Sequence, residues 1–189
     1  GNGLSEEGRH EEALSVRETE LAMERRLGAS ANNILVVQSN LASTYQMLGR
    51  DEEALRMRRD MYSGRLKLLG EEHPKTLLTA SNYVVSLNDL NRYAEAKSLM
   101  RKTIPVARRV LGESDDLTLR MGTLYATALW RDPSATLDDL RESVTTHEEV
   151  ERTARRVLGS AHPLTEAIET SLKLSRATLR AREGTPSGS

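Results

Sequence analysis

The chain has 189 residues, 29% of them charged, with a formal net charge of −1 at pH 7 and no cysteine. So even a balance supplies no basic field to hold phosphates along a nucleic acid or an anionic lipid surface. The missing thiols exclude disulfides, thiolate metal sites and a cysteine nucleophile, and fit a reducing compartment.

Apolar runs are only a few residues long, as in Ile34-Leu35-Val36-Val37, too short to cross a bilayer. The reading is a soluble, cytoplasmic chain. Its opening, Gly1-Asn2-Gly3, lacks methionine and a basic-then-apolar leader, which reads as a piece of a longer protein.

A Leu-Gly pair recurs at Leu27-Gly28, Leu69-Gly70, Leu111-Gly112 and Leu158-Gly159, with spacings of 42, 42 and 47 residues. Periods of this size mark arrays of one supersecondary unit. The expected boundaries are a partial unit at 1–30, full units at 31–72, 73–113 and 114–160, a terminal helix at 161–183, and a flexible tail at 184–189.

In the partial unit one helix is expected from about Arg9 to Leu27, burying Ala13, Leu14, Leu21 and Leu27, with Gly28 as its left-handed cap. Of its partner only Leu4 and a turn at Gly8 remain. Both ends of the array are then atypical, and end-to-end self-association is expected.

Asn32 or Asn33 is expected to cap the next helix, which carries Ile34, Val37, Leu41, Tyr45 and Leu48 on one face and stops at Gly49. From Asp51 a second helix runs to Leu69, burying Ala54, Leu55, Met61, Leu66 and Leu69. The Gly49-Arg50 turn is short, so the two lie antiparallel. His73-Pro74 opens a helix to Leu90, and Tyr93–Leu111 pairs with it, bent at Pro105. Across these two units Asn40 matches Asn82, Ala54 matches Ala96 and Gly49 matches Asn91.

Ser114-Asp115-Asp116 caps a helix to about Trp130, broken by Arg131-Asp132-Pro133-Ser134. The hexapeptide Ala107-Arg108-Arg109-Val110-Leu111-Gly112 returns verbatim at Ala154–Gly159 after 47 residues, so five are inserted. They are assigned to a longer turn and a helix from Thr136 to Leu158, and the insertion is expected to loosen this hairpin. His162-Pro163 then opens a last helix ending near Arg182. The fold class is all-α, a solenoid of antiparallel helical hairpins.

Asn40-Leu41-Ala42 followed by Tyr45, Gly49-Arg50, Glu53-Ala54 and Leu69-Gly70-Glu71-Glu72-His73-Pro74-Lys75-Thr76 together resemble the kinesin-light-chain type of tetratricopeptide repeat. The resemblance implies a right-handed superhelix whose first helices, the A helices, line a concave groove that binds extended peptides. It breaks where asparagine gives way to Leu124 in the third unit, and no heptad coiled coil is present.

Catalytic constellations are absent. His73 and His162 precede proline at matching positions and read as caps; His147-Glu148-Glu149 lacks the second histidine of a zinc helix. Asp115-Asp116 and Asp138-Asp139 sit at helix starts, and the pairs Arg25-Arg26, Arg108-Arg109 and Arg155-Arg156 in last turns, all in accord with the helix dipole. No cofactor and no metal is expected.

One A-helix face is small, polar and largely uncharged: Ser39, Asn40 and Gln46, then Ser81, Asn82 and Asn88, then Arg120, Thr123 and Trp130. These nine are the candidate peptide-binding residues, the asparagines gripping the ligand backbone. Close packing of neighbouring A helices is the competing account of the same small residues. The expected function is a non-enzymatic protein-interaction scaffold, with no nucleic-acid or membrane partner. The alternative is a structural or sensor element that contacts another domain of the same larger chain.

Overall fold

A computed structural model describes residues 2–184, with side chains from His10 onward. Eight α-helices and no strand occur among the described residues. They are α1 (Asn2–Arg26), α2 (Ala31–Met47), α3 (Asp51–Leu69), α4 (Pro74–Asp89), α5 (Tyr93–Val110), α6 (Asp116–Arg131), α7 (Leu137–Leu158) and α8 (Pro163–Glu183). Residues 1–86 and 87–189 gather into two compact units, the division falling inside α4. The class is an all-α helical repeat.

The repeat boundaries have a backbone cause. Gly28, Gly70, Gly112 and Gly159 all take positive φ, between 67° and 96°, where a Cβ would be strained. Inside the hairpins the same task falls to Gly49 (φ 68°) and to Asn91 (φ 58°). Asparagine tolerates the left-handed region better than other side chains. The residues that follow, Arg50 and Arg92, share one backbone conformation and each pair with the glutamate three positions on, Glu53 and Glu95.

In the first unit α1 packs on α2 and α2 on α3. Leu14, Leu21, Val37, Leu41, Tyr45 and Ala54 form the core, with Ile34, Leu48 and Met57 at its edge. Tyr45 donates its hydroxyl to Glu18 at 2.7 Å. Burial and that carboxylate push its pKa up to about 12. Tyr62 stacks on Tyr83, with ring centroids 6.4 Å apart, joining α3 to α4.

In the second unit α5, α6, α7 and α8 pack in succession, and α8 also touches α6. Leu119, Val150, Ala154 and Ile168 form a core cluster. Gly122 lets α6 and α7 approach closely, because a Cβ there would lie 2.8 Å from Cγ2 of Val150.

Several expectations are revised. The helix α1 runs unbroken through Gly8, so no turn lies there. The side chain of Leu4 and the tail beyond Gly184 lie outside the described residues. Ser30, not Asn32 or Asn33, caps α2, accepting the Asn33 N–H at 3.2 Å. Leu27 is 76% exposed and joins Val16 and Met23 in an outward apolar stripe on α1; Leu66 is exposed as well. The helix expected over Tyr93–Leu111 is present as α5, with Pro105 inside it and its end at Val110.

The insertion is the largest revision, because its turn is densely bonded. Asp132 accepts Lys97 Nζ at 2.8 Å, with the two side chains only 11% and 15% exposed. The same carboxylate accepts both the N–H and the hydroxyl of Ser134. Thr136 and Asp139 form a reciprocal capping box, and Arg182 donates to the Ala135 carbonyl at 3.0 Å.

Candidate peptide-binding surface

On α2 the spacing of Ser39, Asn40 and Gln46 keeps all three off the buried stripe of Val37, Leu41 and Tyr45, and all three are exposed. The Asn40 carbonyl accepts Arg17 Nη1 at 2.9 Å and Thr44 Oγ1 at 3.1 Å, while its amide faces outward. Gln46 Oε1 accepts Arg58 Nη2 at 2.6 Å, and Arg58 also donates to Ser86. That guanidinium therefore ties α2 and α4 to α3. Val36 stands beside the polar residues, 50% exposed.

On α4, within the first unit, Asn82 is half-buried and held by an interaction of its own. Leu78, one repeat after Val36, is 45% exposed. Ser81 is fully buried and lies beneath the surface, so it cannot meet a ligand.

Asn88 is likewise withdrawn, at 3% exposure. Its Nδ2 donates to the Leu124 carbonyl at 3.1 Å within the second unit, so it braces α6 instead of presenting an amide. On α6 Arg120, Thr123 and Trp130 are half-buried. Thr123 donates to the Leu119 carbonyl at 3.0 Å, closing its hydroxyl onto the helix. The indole N–H of Trp130 is buried without an acceptor among the described residues, which places much of that ring in packing.

The nine residues thus separate into an exposed polar row on α2, a half-buried Asn82 beside the exposed Leu78, and a half-buried row on α6. Ser81 and Asn88 leave the set. The period-42 spacing identified equivalent positions correctly, but equal register does not guarantee equal burial. Val36 and Leu78 add apolar contact points that their spacing could have flagged.

The histidines at helix starts act as caps. His73 Nδ1 accepts the Lys75 N–H at 3.1 Å and His162 Nδ1 accepts that of Leu164 at 3.2 Å. His147 is fully buried on α7. Desolvation pulls its pKa down to about 4, and a contact with the Ser143 backbone opposes this only in part. No group of three or more metal-ligating side chains occurs among the described residues, and none of their helices is long and apolar enough to cross a membrane.

The sequence matches the tetratricopeptide repeat family at residues 34–75 and again at 76–116. No curated protein matches the chain. Among solved structures the fold is similar to nearly identical tetratricopeptide-like repeats of a kinesin-light-chain candidate from Podosopora anserina, with a TM-score of 0.75 and 22% identity over 93% of this chain and 82% of that one. A single-substitution variant of the same protein gives 0.77 and 21%, over 93% and 81%. BtubC (BKLC) from P. vanneervenii gives 0.60 and 13%, over 98% and 79%. At these identities the structural likeness speaks for the fold.

Proposed function

We propose that this chain, whose residues 34–116 match the tetratricopeptide repeat family and whose fold is similar to that of kinesin-light-chain-type repeats, is a non-enzymatic scaffold holding an extended peptide segment of a partner protein against its A helices. Such repeats serve generally as protein-protein interaction scaffolds. The observation that carries the finer reading is the outward amide of Asn40 in an exposed, uncharged row with Ser39 and Gln46, beside the apolar Val36.

An asparagine amide offers two donors and an acceptor, enough to pair with both the N–H and the C=O of an extended chain. Packed helices stand about 8–10 Å apart and an extended peptide advances about 3.3 Å per residue, so equivalent A-helix positions meet every third ligand residue. In the first unit Asn40 and Asn82 hold the backbone while Val36 and Leu78 receive apolar side chains.

The test is capture of binding segments from a random peptide display library on the intact chain, followed by titration of the selected peptides against Asn40→Ala/Asn82→Ala. The double substitution is expected to weaken binding at least tenfold with helicity unchanged. Normal binding by the variant would return both residues to packing.

A further inference from the structure

A second site lies away from this face. In the second unit a cavity of about 410 Å³ opens among α5, α6 and α7, reached through Thr118, Leu119 and Gly122 of α6. At 100° per residue these positions centre roughly 120° around α6 from Arg120 and Thr123. Three arginines line it: Arg108 from the last turn of α5, Arg156 from the last turn of α7, and Arg152 one turn before.

Arg108 and Arg156 come from the two copies of the sequence's verbatim hexapeptide, at different positions within it, and Arg152 lies two residues before the second copy. In each copy one arginine is held and the other lines the cavity. In the second copy Arg155 is held by Glu151 and Glu169, while Arg156 lines the cavity. In the first copy Arg109 is engaged elsewhere, while Arg108 lines the cavity. No ion pair or side-chain hydrogen bond among the described residues engages the guanidinium of Arg108, Arg152 or Arg156. Favourable interaction with a helix end accounts for an arginine in a last turn, but not for three unpaired guanidiniums converging on one cavity.

A further observation points to a ligand. Thr118, only 5% exposed, lines the same cavity, and its hydroxyl is buried without a hydrogen-bond partner. Buried hydroxyls are ordinarily satisfied, so this one is a donor in waiting.

We propose that this cavity binds a small phosphorylated polyol, its phosphate held by Arg108, Arg152, Arg156 and the Thr118 hydroxyl, its free hydroxyls by Glu113 and Glu149. Guanidinium forks match phosphate oxygens two at a time. The volume lies within the range of small-molecule sites and exceeds what a bare phosphate fills. The two carboxylates, which also line the cavity, repel a simple anion but accept hydrogen bonds from alcohols. Ile104, Leu119 and Val150 supply an aliphatic wall, and no aromatic ring is present to stack a base, which favours a sugar or cyclitol over a nucleotide.

Isothermal titration of the whole chain with glucose 6-phosphate, glucose, inorganic phosphate and AMP tests this. Saturable one-to-one binding of glucose 6-phosphate is expected, at least tenfold tighter than inorganic phosphate and AMP, with glucose silent. Arg108→Gln/Arg152→Gln is expected to weaken it at least tenfold and Thr118→Val severalfold, while Arg25→Gln in the first unit has no effect. Cosedimentation with phosphatidylcholine vesicles carrying phosphatidylinositol 4-phosphate distinguishes a lipid headgroup from a free metabolite as the source of the same chemistry. Silence toward both the sugar phosphate and the vesicles overturns the proposal. So does phosphate or AMP binding as tight as the sugar phosphate, or full binding by folded Arg108→Gln/Arg152→Gln.

Discussion

The α2–α3 hairpin and the α6–α7 hairpin solve the same problem, reversing a helix, by opposite means. The first uses a left-handed glycine and an exposed pair, Arg50–Glu53, whose side chains are 40% and 38% exposed. The α4–α5 turn repeats the device with Asn91 and Arg92–Glu95. The α6–α7 turn has no left-handed residue, and its hairpin commits polar groups inward: Asp132 in the turn to Lys97, and from α7 Ser143 to the Ala126 carbonyl and His147 into the buried face of the helix. Regular repeats can reverse through backbone conformation alone, whereas an inserted turn has backbone and side-chain polar groups to satisfy and recruits side chains from neighbouring helices to do so.

The largest contrast is expected at the ion pair. Lys97→Met leaves Asp132 shielded and without its cation, and is expected to destabilise the second unit by about 3 kcal/mol. Hydrogen exchange at residues 134–140, expected to be slower than at 49–54 in the native chain, should then approach it. A change in denaturation midpoint no larger than that of a surface substitution would remove the distinction between the hairpins.

Acid should act on the third hairpin before the first. Folded His147 titrates near pH 4 and an unfolded histidine near 6.5, so between these values the unfolded chain binds the extra proton. Its contribution is intact above pH 6.5 and falls as pH drops to 4, by as much as about 3 kcal/mol. His147→Leu should flatten melting temperature against pH over that window. Asp132, held near 2 chiefly by the Lys97 hydrogen bond, adds a separate loss as pH falls from 3.8 toward 2. A native chain whose stability is level from pH 6.5 to 4.5 would contradict the histidine assignment.

Backbone substitutions should have smaller effects, and at the regular turns. Gly49→Ala places a Cβ at φ 68° and is expected to cost about 1–2 kcal/mol, while Gly49→Asn, which copies Asn91, should cost less. Equal losses measured by chemical denaturation would mean that position 49 is limited by space, although nothing lies within 4 Å of a Cβ built there.

Smallest of all, Glu53→Gln and Glu95→Gln should leave the midpoint unchanged, because exposed pairs offset little beyond their own ordering. A clear loss at either would show that the regular turns depend on charge as the inserted one does.

Periodicity determined what repeats locally. The spacing of Leu-Gly pairs, the His-Pro starts and the helix-breaking Asp132-Pro133 located all the repeat helices, with boundaries near those observed, because caps, left-handed positions and apolar stripes are encoded within a few residues. It also aligns Gly49 with Asn91, which share a left-handed φ. Burial was decided only in three dimensions. Asn40 and Asn88 read alike as polar A-helix residues, yet one is exposed and the other is held against the Leu124 carbonyl. Leu27 reads as core and is open, while His147, which carries no sequence signal for burial, is enclosed. The tightly bonded inserted turn depends on Lys97 and Arg182, separated from their partners in sequence by 35 and 47 residues, and the candidate phosphate cavity depends on three helices meeting. No local pattern records such meetings, because a side chain's neighbours are set by the packing of whole helices and not by the residues beside it.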